Sequence, residues 1–199
     1  MIIIGLTGSI GMGKSTAAGF FAAEGIPVND ADAVVHELYS GEAVPLIEAA
    51  FPGSTKDGAV DRQALGAILQ KNPAKFKELE AIVHPLVGKR EREFVEHHRA
   101  RGADLVVLDI PLLFESGGFK RVDEIVVVSC DPEIQRERVL ARPNMTEEKF
   151  ELIRSRQTPD AEKRARADFV IDTGHAMEVT HQRIREIIAT LRARANSES

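Results

Sequence analysis

Residues Gly8-Ser9-Ile10-Gly11-Met12-Gly13-Lys14-Ser15 spell G-x-x-x-x-G-K-[ST], the pattern of a phosphate-binding P-loop. An apolar run before it, Ile2-Ile3-Ile4-Gly5-Leu6, reads as a buried strand. The stretch after it, Thr16-Ala17-Ala18-Gly19-Phe20-Phe21-Ala22-Ala23-Glu24, reads as a helix. That strand–loop–helix setting separates a working P-loop from a chance match. The glycines let the backbone curl around an anion with its N–H groups inward. A helix starting near Gly13 aims its positive end at the same anion. Lys14 is expected to bridge the β- and γ-phosphates, and the Ser15 hydroxyl to ligate Mg²⁺. The nucleotide-binding set is therefore Gly8, Gly11, Met12, Gly13, Lys14, Ser15 and Thr16, with a nucleoside triphosphate and magnesium as the expected ligands.

The rest of the chain narrows the class. Its 199 residues suit a single domain with a small insertion, and 43% hydrophobic residues supply an ordinary core. A net charge of -5 and 5% aromatic residues argue against broad nucleic-acid binding. No apolar run reaches the length of a membrane span, and the N-terminal run reads as a strand rather than a signal peptide. The single cysteine, Cys130, follows an apolar run and reads as a small buried residue in a reducing cytoplasm. A monomer or weak homo-oligomer is expected.

Four further runs read as buried parallel strands: Ile26-Pro27-Val28, Leu105-Val106-Val107-Leu108, Ile125-Val126-Val127-Val128 and Phe169-Val170-Ile171. Asp131-Pro132, Asn72-Pro73 and Thr158-Pro159 each read as an N-cap followed by proline at the first helical position. Strands alternating with helices predict a five-stranded parallel sheet covered on both faces, the three-layer α/β/α arrangement of P-loop NTPases. In such sheets ligands sit at the carboxyl ends of strands, which draws notice to Asp30, Asp32, Asp109, Asp131 and Asp172. Residues from about 33 to 100 contain no convincing strand and read as a helical insertion, with Pro85 expected to kink or break a long helix. A helical stretch from about 132 to 166 carries many arginines nearly balanced by acidic residues, which reads by default as a solvated surface; a subset facing the P-loop would instead clamp phosphates, as a lid over about 136 to 166. The tail after Leu191 is small and polar and is expected to fray.

GTPase switches need N-K-x-D and D-x-x-G, and neither occurs. The length, insertion and arginine-bearing segment fit a small-molecule kinase that encloses its acceptor and excludes water. Such a transfer needs a carboxylate near the acceptor hydroxyl. Asp30-Ala31-Asp32 follows the second strand, and if that strand adjoins the P-loop strand the pair comes near the γ-phosphate; otherwise one of them caps the next helix. The alternatives are a kinase for another acceptor, such as a nucleoside monophosphate or a sugar, and a nucleotide-dependent interaction module.

Several segments carry a specific resemblance. Asn29-Asp30-Ala31-Asp32-Ala33-Val34-Val35-His36 resembles the D-A-D-x-x-x-H segment of dephospho-CoA kinases, and His84-Pro85-Leu86-Val87 their H-P-L-[IV] segment. Asp109-Ile110-Pro111-Leu112-Leu113-Phe114-Glu115 resembles their P-L-L-[FV]-E segment, Gln135 to Arg142 their Q-x-x-R-x-x-x-R lid segment, and Ala167 to Asp172 their A-D-x-[VI]-I-[DE] end. The match runs in order from residue 2 to about 190.

The resemblance implies ATP-dependent phosphorylation of the ribose 3′-hydroxyl of 3′-dephospho-CoA, giving CoA and ADP. It implies Asp32 as general base and acceptor contact, with Lys14 and Arg138 as further catalytic groups. Arg138 and Arg142 match lid arginines, with Arg142 on the nucleotide and Arg138 also on the acceptor side. His84 and Leu112 join the acceptor site, and Asp109 ends its strand where a Walker-B carboxylate would sit, as an outer-sphere partner of magnesium or a structural hydrogen bond at the strand end. Leu113 is expected at the pocket wall or in the core. Thr173 departs from the family, which often has Asn there, in a loop expected near the adenine.

Overall fold

The structure is a computed structural model that describes residues 1–197. In chain order its elements are β1 (Ile2–Thr7), α1 (Lys14–Ala23), β2 (Val28–Asp30), α2 (Ala31–Leu38), α3 (Val44–Ala50), β3 (Thr55–Lys56), β4 (Ala59–Val60) and α4 (Arg62–Lys71). They continue as α5 (Phe76–Ala100), β5 (Leu105–Asp109), β6 (Glu124–Ser129), α6 (Pro132–Leu140), α7 (Glu147–Ser155), α8 (Asp160–Ala165), β7 (Phe169–Asp172) and α9 (Met177–Ser197). The long apolar runs became strands because a parallel sheet buries both faces. The sheet has the order β2-β5-β1-β6-β7, with Leu6 opposite Asp109, Thr7 opposite Val127 and Ser129 opposite Asp172.

Two compact units emerge. The first comprises Met1–Asn29 and His98–Ser199. Its core packs Ile4, Leu6, Phe21, Val107, Val126 and Ile171 against Ile184, Ile187 and Leu191 of α9. The second, Asp30–His97, has its own core of Leu38, Ile47, Phe51, Leu65 and Val83. Cys130 is buried as expected, and burial pushes its thiol up.

The structure corrects several expectations. The second strand begins at Val28, not Ile26, because Pro27 has no N–H to give to the ladder; only its carbonyl takes part, accepting from Val107 N–H at 2.8 Å. That strand does not adjoin the P-loop strand, since β5 lies between them. Residues 33 to 100 do contain strands: β3 and β4 form a hairpin with Lys56 opposite Ala59. Its two-residue turn, Asp57-Gly58, has φ of 52° and 80°, the left-handed pair that suits a tight hairpin.

Pro85 does not break α5, which runs on to Ala100. Ala81, whose carbonyl loses its partner, is exposed to water. Asn72 ends α4 and precedes a 3-10 turn without a side-chain cap. Thr158 caps nothing either, since Pro159 holds the N-cap position of α8. Asp131 does cap α6, accepting from Glu133 N–H at 2.8 Å. The tail is helical through Ser197, because α9 docks by Leu191; the last two residues lie outside the described part.

Candidate active site

The P-loop leaves β1 with Gly8 and Ser9 buried and enters α1 at Lys14. Gly11 and Gly13 have φ of 78° and 84°, a conformation side chains oppose. A Cβ at Gly13 would also stand 3.1 Å from Thr173 Oγ1. Gly13→Ala is therefore expected to lower stability by about 1–2 kcal/mol. Gly19→Ala in α1 meets nothing within 4 Å. That substitution should be neutral or stabilising by up to about 1 kcal/mol. Thermal unfolding of the two variants checks this contrast.

The first-turn N–H groups of α1 have no intrahelical partners and form the positive end of the helix. Ser15 and Thr16 are exposed there. Lys14 Nζ donates to Asp109 Oδ1, a contact made possible by the register that sets the end of β5 beside β1. Asp109 is 2% exposed.

Met12 is buried against Cys130, whose N–H lies 3.1 Å from its sulfur. Both Met12 main-chain groups are occupied: its N–H donates to Ser9 O at 3.1 Å, and its carbonyl accepts from Thr173 Oγ1 at 2.9 Å. Thr173 in turn accepts from Arg138 Nη1 at 3.2 Å, while its carbonyl accepts from Arg138 Nη2 at 2.7 Å. Thr173 thus ties the P-loop to Arg138. Arg142 lies exposed just past the C-cap of α6.

A cleft of about 830 Å³ opens beside the loop, lined among others by Ser9, Met12, Gln135, Arg154, Gln157 and Arg164. Two of the late arginines, Arg154 and Arg164, therefore share a cavity with P-loop residues. Leu113 is fully buried in the core, whereas Leu112 is 46% exposed.

In the second unit, Asp30 caps α2: its Oδ1 accepts from Asp32 N–H at 2.8 Å and Ala33 N–H at 3.2 Å. Asp30 is thereby committed, and Asp32 stands exposed in the first turn. His84 is exposed on α5, while its neighbour Val83 faces the unit's core.

A dephospho-CoA kinase family model matches residues 2–178. The chain belongs to the dephospho-CoA kinase family. A dephospho-CoA kinase of Rhizobium etli is 64% identical over 98% of this chain and 96% of its own. The crystal structure of a Thermus thermophilus protein matches with a TM-score of 0.80 at 35% identity, covering 96% of this chain and 97% of that one. A dephospho-CoA kinase from Campylobacter jejuni matches with a TM-score of 0.71 at 26% identity, covering 94% and 95%.

Within this family frame, three residues of the first unit went unassigned in the sequence: Gln135, Gln157 and Thr173. Gln135 opens the lid segment and Thr173 marks a departure, so both carried a signal. Gln157 carried none beyond its place before a Thr-Pro turn.

The donor set suits magnesium. A hydroxyl at Ser15 and a carboxylate at Asp109 are hard oxygen ligands, and Mg²⁺ is ordinarily completed by phosphate oxygens and water. Among the described residues no group of three or more acidic, His or Cys side chains could hold a metal by itself, so such an ion would rely on the nucleotide.

Proposed function

We propose that Asp32 is the general base of the family reaction, in which ATP phosphorylates the ribose 3′-hydroxyl of dephospho-CoA to give CoA and ADP. The hydroxyl oxygen forms a bond to the γ-phosphorus as its proton passes to Asp32. The bond from that phosphorus to the β,γ-bridging oxygen breaks, and its electron pair leaves with ADP. Asp30 ends β2 and Asp32 follows in the first turn of α2; both are exposed, but the Asp30 carboxylate accepts two capping N–H groups, which leaves Asp32 to take the proton.

Lys14 trades its Asp109 partner for the β- and γ-phosphates, held against the amides of Gly11 to Thr16. Arg138, fixed on Thr173, spreads positive charge over the transferring group, and Arg142 holds the nucleotide. Ser15 and Asp109 would hold Mg²⁺, which neutralises charge on the phosphates. His84 and Leu112 are acceptor contacts in this reading. The buried free thiol of Cys130 suits a reducing cytoplasm.

The pairing of Lys14 with Asp109 at the mouth of the loop carries this reading, because it assembles the phosphate lysine and the metal carboxylate at one spot. A panel of acceptors with coupled ADP detection tests it. Dephospho-CoA should give the highest kcat/KM; no ADP above background with it, where a nucleoside monophosphate or sugar reacts, would overturn it.

A further inference from the structure

The P-loop is gripped from outside by two glutamines. Ile10 N–H donates to Gln157 Oε1 at 3.1 Å, and Gln135 Nε2 donates to the Ile10 carbonyl at 2.7 Å. The two peptide planes on either side of the Ile10 Cα are thus fixed immediately before Gly11, where the chain turns to positive φ. The partners come from 147 and 125 residues away.

Both glutamines are themselves anchored. Gln135 is 4% exposed on α6, whose start Asp131 caps. Gln157 follows α7, and its neighbours are pinned in turn. Thr158 N–H donates to Glu115 Oε1 at 2.7 Å, and the fully buried Lys163 brings its ammonium to 3.1 Å from the same oxygen. Asp160 accepts from Ser129 Oγ at 2.8 Å. Burial pushes the Glu115 carboxyl up, but the Thr158 N–H and the Lys163 ammonium outweigh it and hold it below its ordinary value.

An amide in this loop must find an acceptor in the protein, in the ligand or in water. Gln157 removes the Ile10 N–H from the cradle, so the phosphates fall to the amides that follow. A loop already held in its binding shape gives up less freedom when ligand arrives.

We propose that Gln135 and Gln157 are positioning residues for the triphosphate, acting through the Ile10 peptides to hold the first half of the P-loop in its phosphate-binding shape. This rests on the loop taking the phosphates of ATP. The test is a double-variant cycle of Gln157→Met and Gln135→Met. Each single change should raise the KM for ATP about tenfold, the worth of one net hydrogen bond, and leave the KM for dephospho-CoA within about twofold. Because both act on one residue, the double variant should be no more than about twofold worse than the poorer single. Multiplying effects, an unchanged KM for ATP, or an equal rise in both KM values would overturn the proposal. If Gln135→Met unfolds, Gln157→Met alone decides, since its residue lies in a half-buried loop. Turnover of the parent protein with dephospho-CoA in the same assay tests the activity separately.

Discussion

Asp32→Asn is expected to lower kcat by about 10²–10⁴-fold, the usual worth of a positioned general base, with ATP affinity unchanged. The substitution keeps the shape of the side chain and removes only its ability to accept the hydroxyl proton. Asp32 is exposed in the first turn of α2, so little packing depends on it. Its charge there favours the helix end, and losing it costs at most about 1 kcal/mol. Steady-state kinetics with ADP detection, together with calorimetric titration of ATP, separate the two effects. A kcat within threefold of the parent would remove Asp32 from the chemistry. The same substitution at Asp30 acts elsewhere, because that carboxylate is engaged by two backbone N–H groups.

Lys14→Met should show two losses with different remedies. Removing the ammonium that meets the β- and γ-phosphates should cost about 10²–10³-fold in kcat/KM for ATP. It also takes the cation from Asp109, a carboxylate 2% exposed. Breaking such a pair costs about 3 kcal/mol, near the low end of the range because the Lys14 side chain keeps 14% exposure. The double variant Lys14→Met with Asp109→Asn should regain much of the lost melting temperature and none of the activity. A double variant no more stable than Lys14→Met alone would show that the ion pair does not hold this end of the sheet.

The parts of the site that lie close together in sequence were legible in it. Gly8 to Ser15 form one loop, so their spacing alone gives the cradle. Four of the five strands of the sheet were equally legible, because a parallel strand covered on both faces needs an unbroken apolar run; the second, Val28–Asp30, is not such a run and was placed two residues early. The hairpin of β3 and β4 was missed because two-residue strands have no periodicity, although Asp57-Gly58 carried the turn signal. The choice between Asp30 and Asp32 could not be made from spacing, since either could cap the helix; geometry assigned the cap to Asp30. The bonds made by Gln135, Gln157 and Thr173 were not legible for another reason, although Gln135 and Thr173 themselves carried a signal. Gln135 and Gln157 reach Ile10 across 125 and 147 residues and Thr173 reaches Met12 across 161, and tertiary contacts of that kind leave no local pattern.

Thr173 brings remote stretches of chain to one hydroxyl: the Met12 carbonyl, the Ser129 carbonyl at 3.3 Å and the Arg138 guanidinium. The floor beneath the phosphates and that guanidinium are therefore referenced to a common point at the end of the sheet. Arg138 is fixed within α6, whereas Arg142 stands just past its C-cap, its N–H given to Val139 O at 3.1 Å and its carbonyl taken by Met145 N–H at 3.2 Å. Because the helical bonding runs on through Arg142, the hydroxyl of Thr173 sets the station of both arginines from one end of α6.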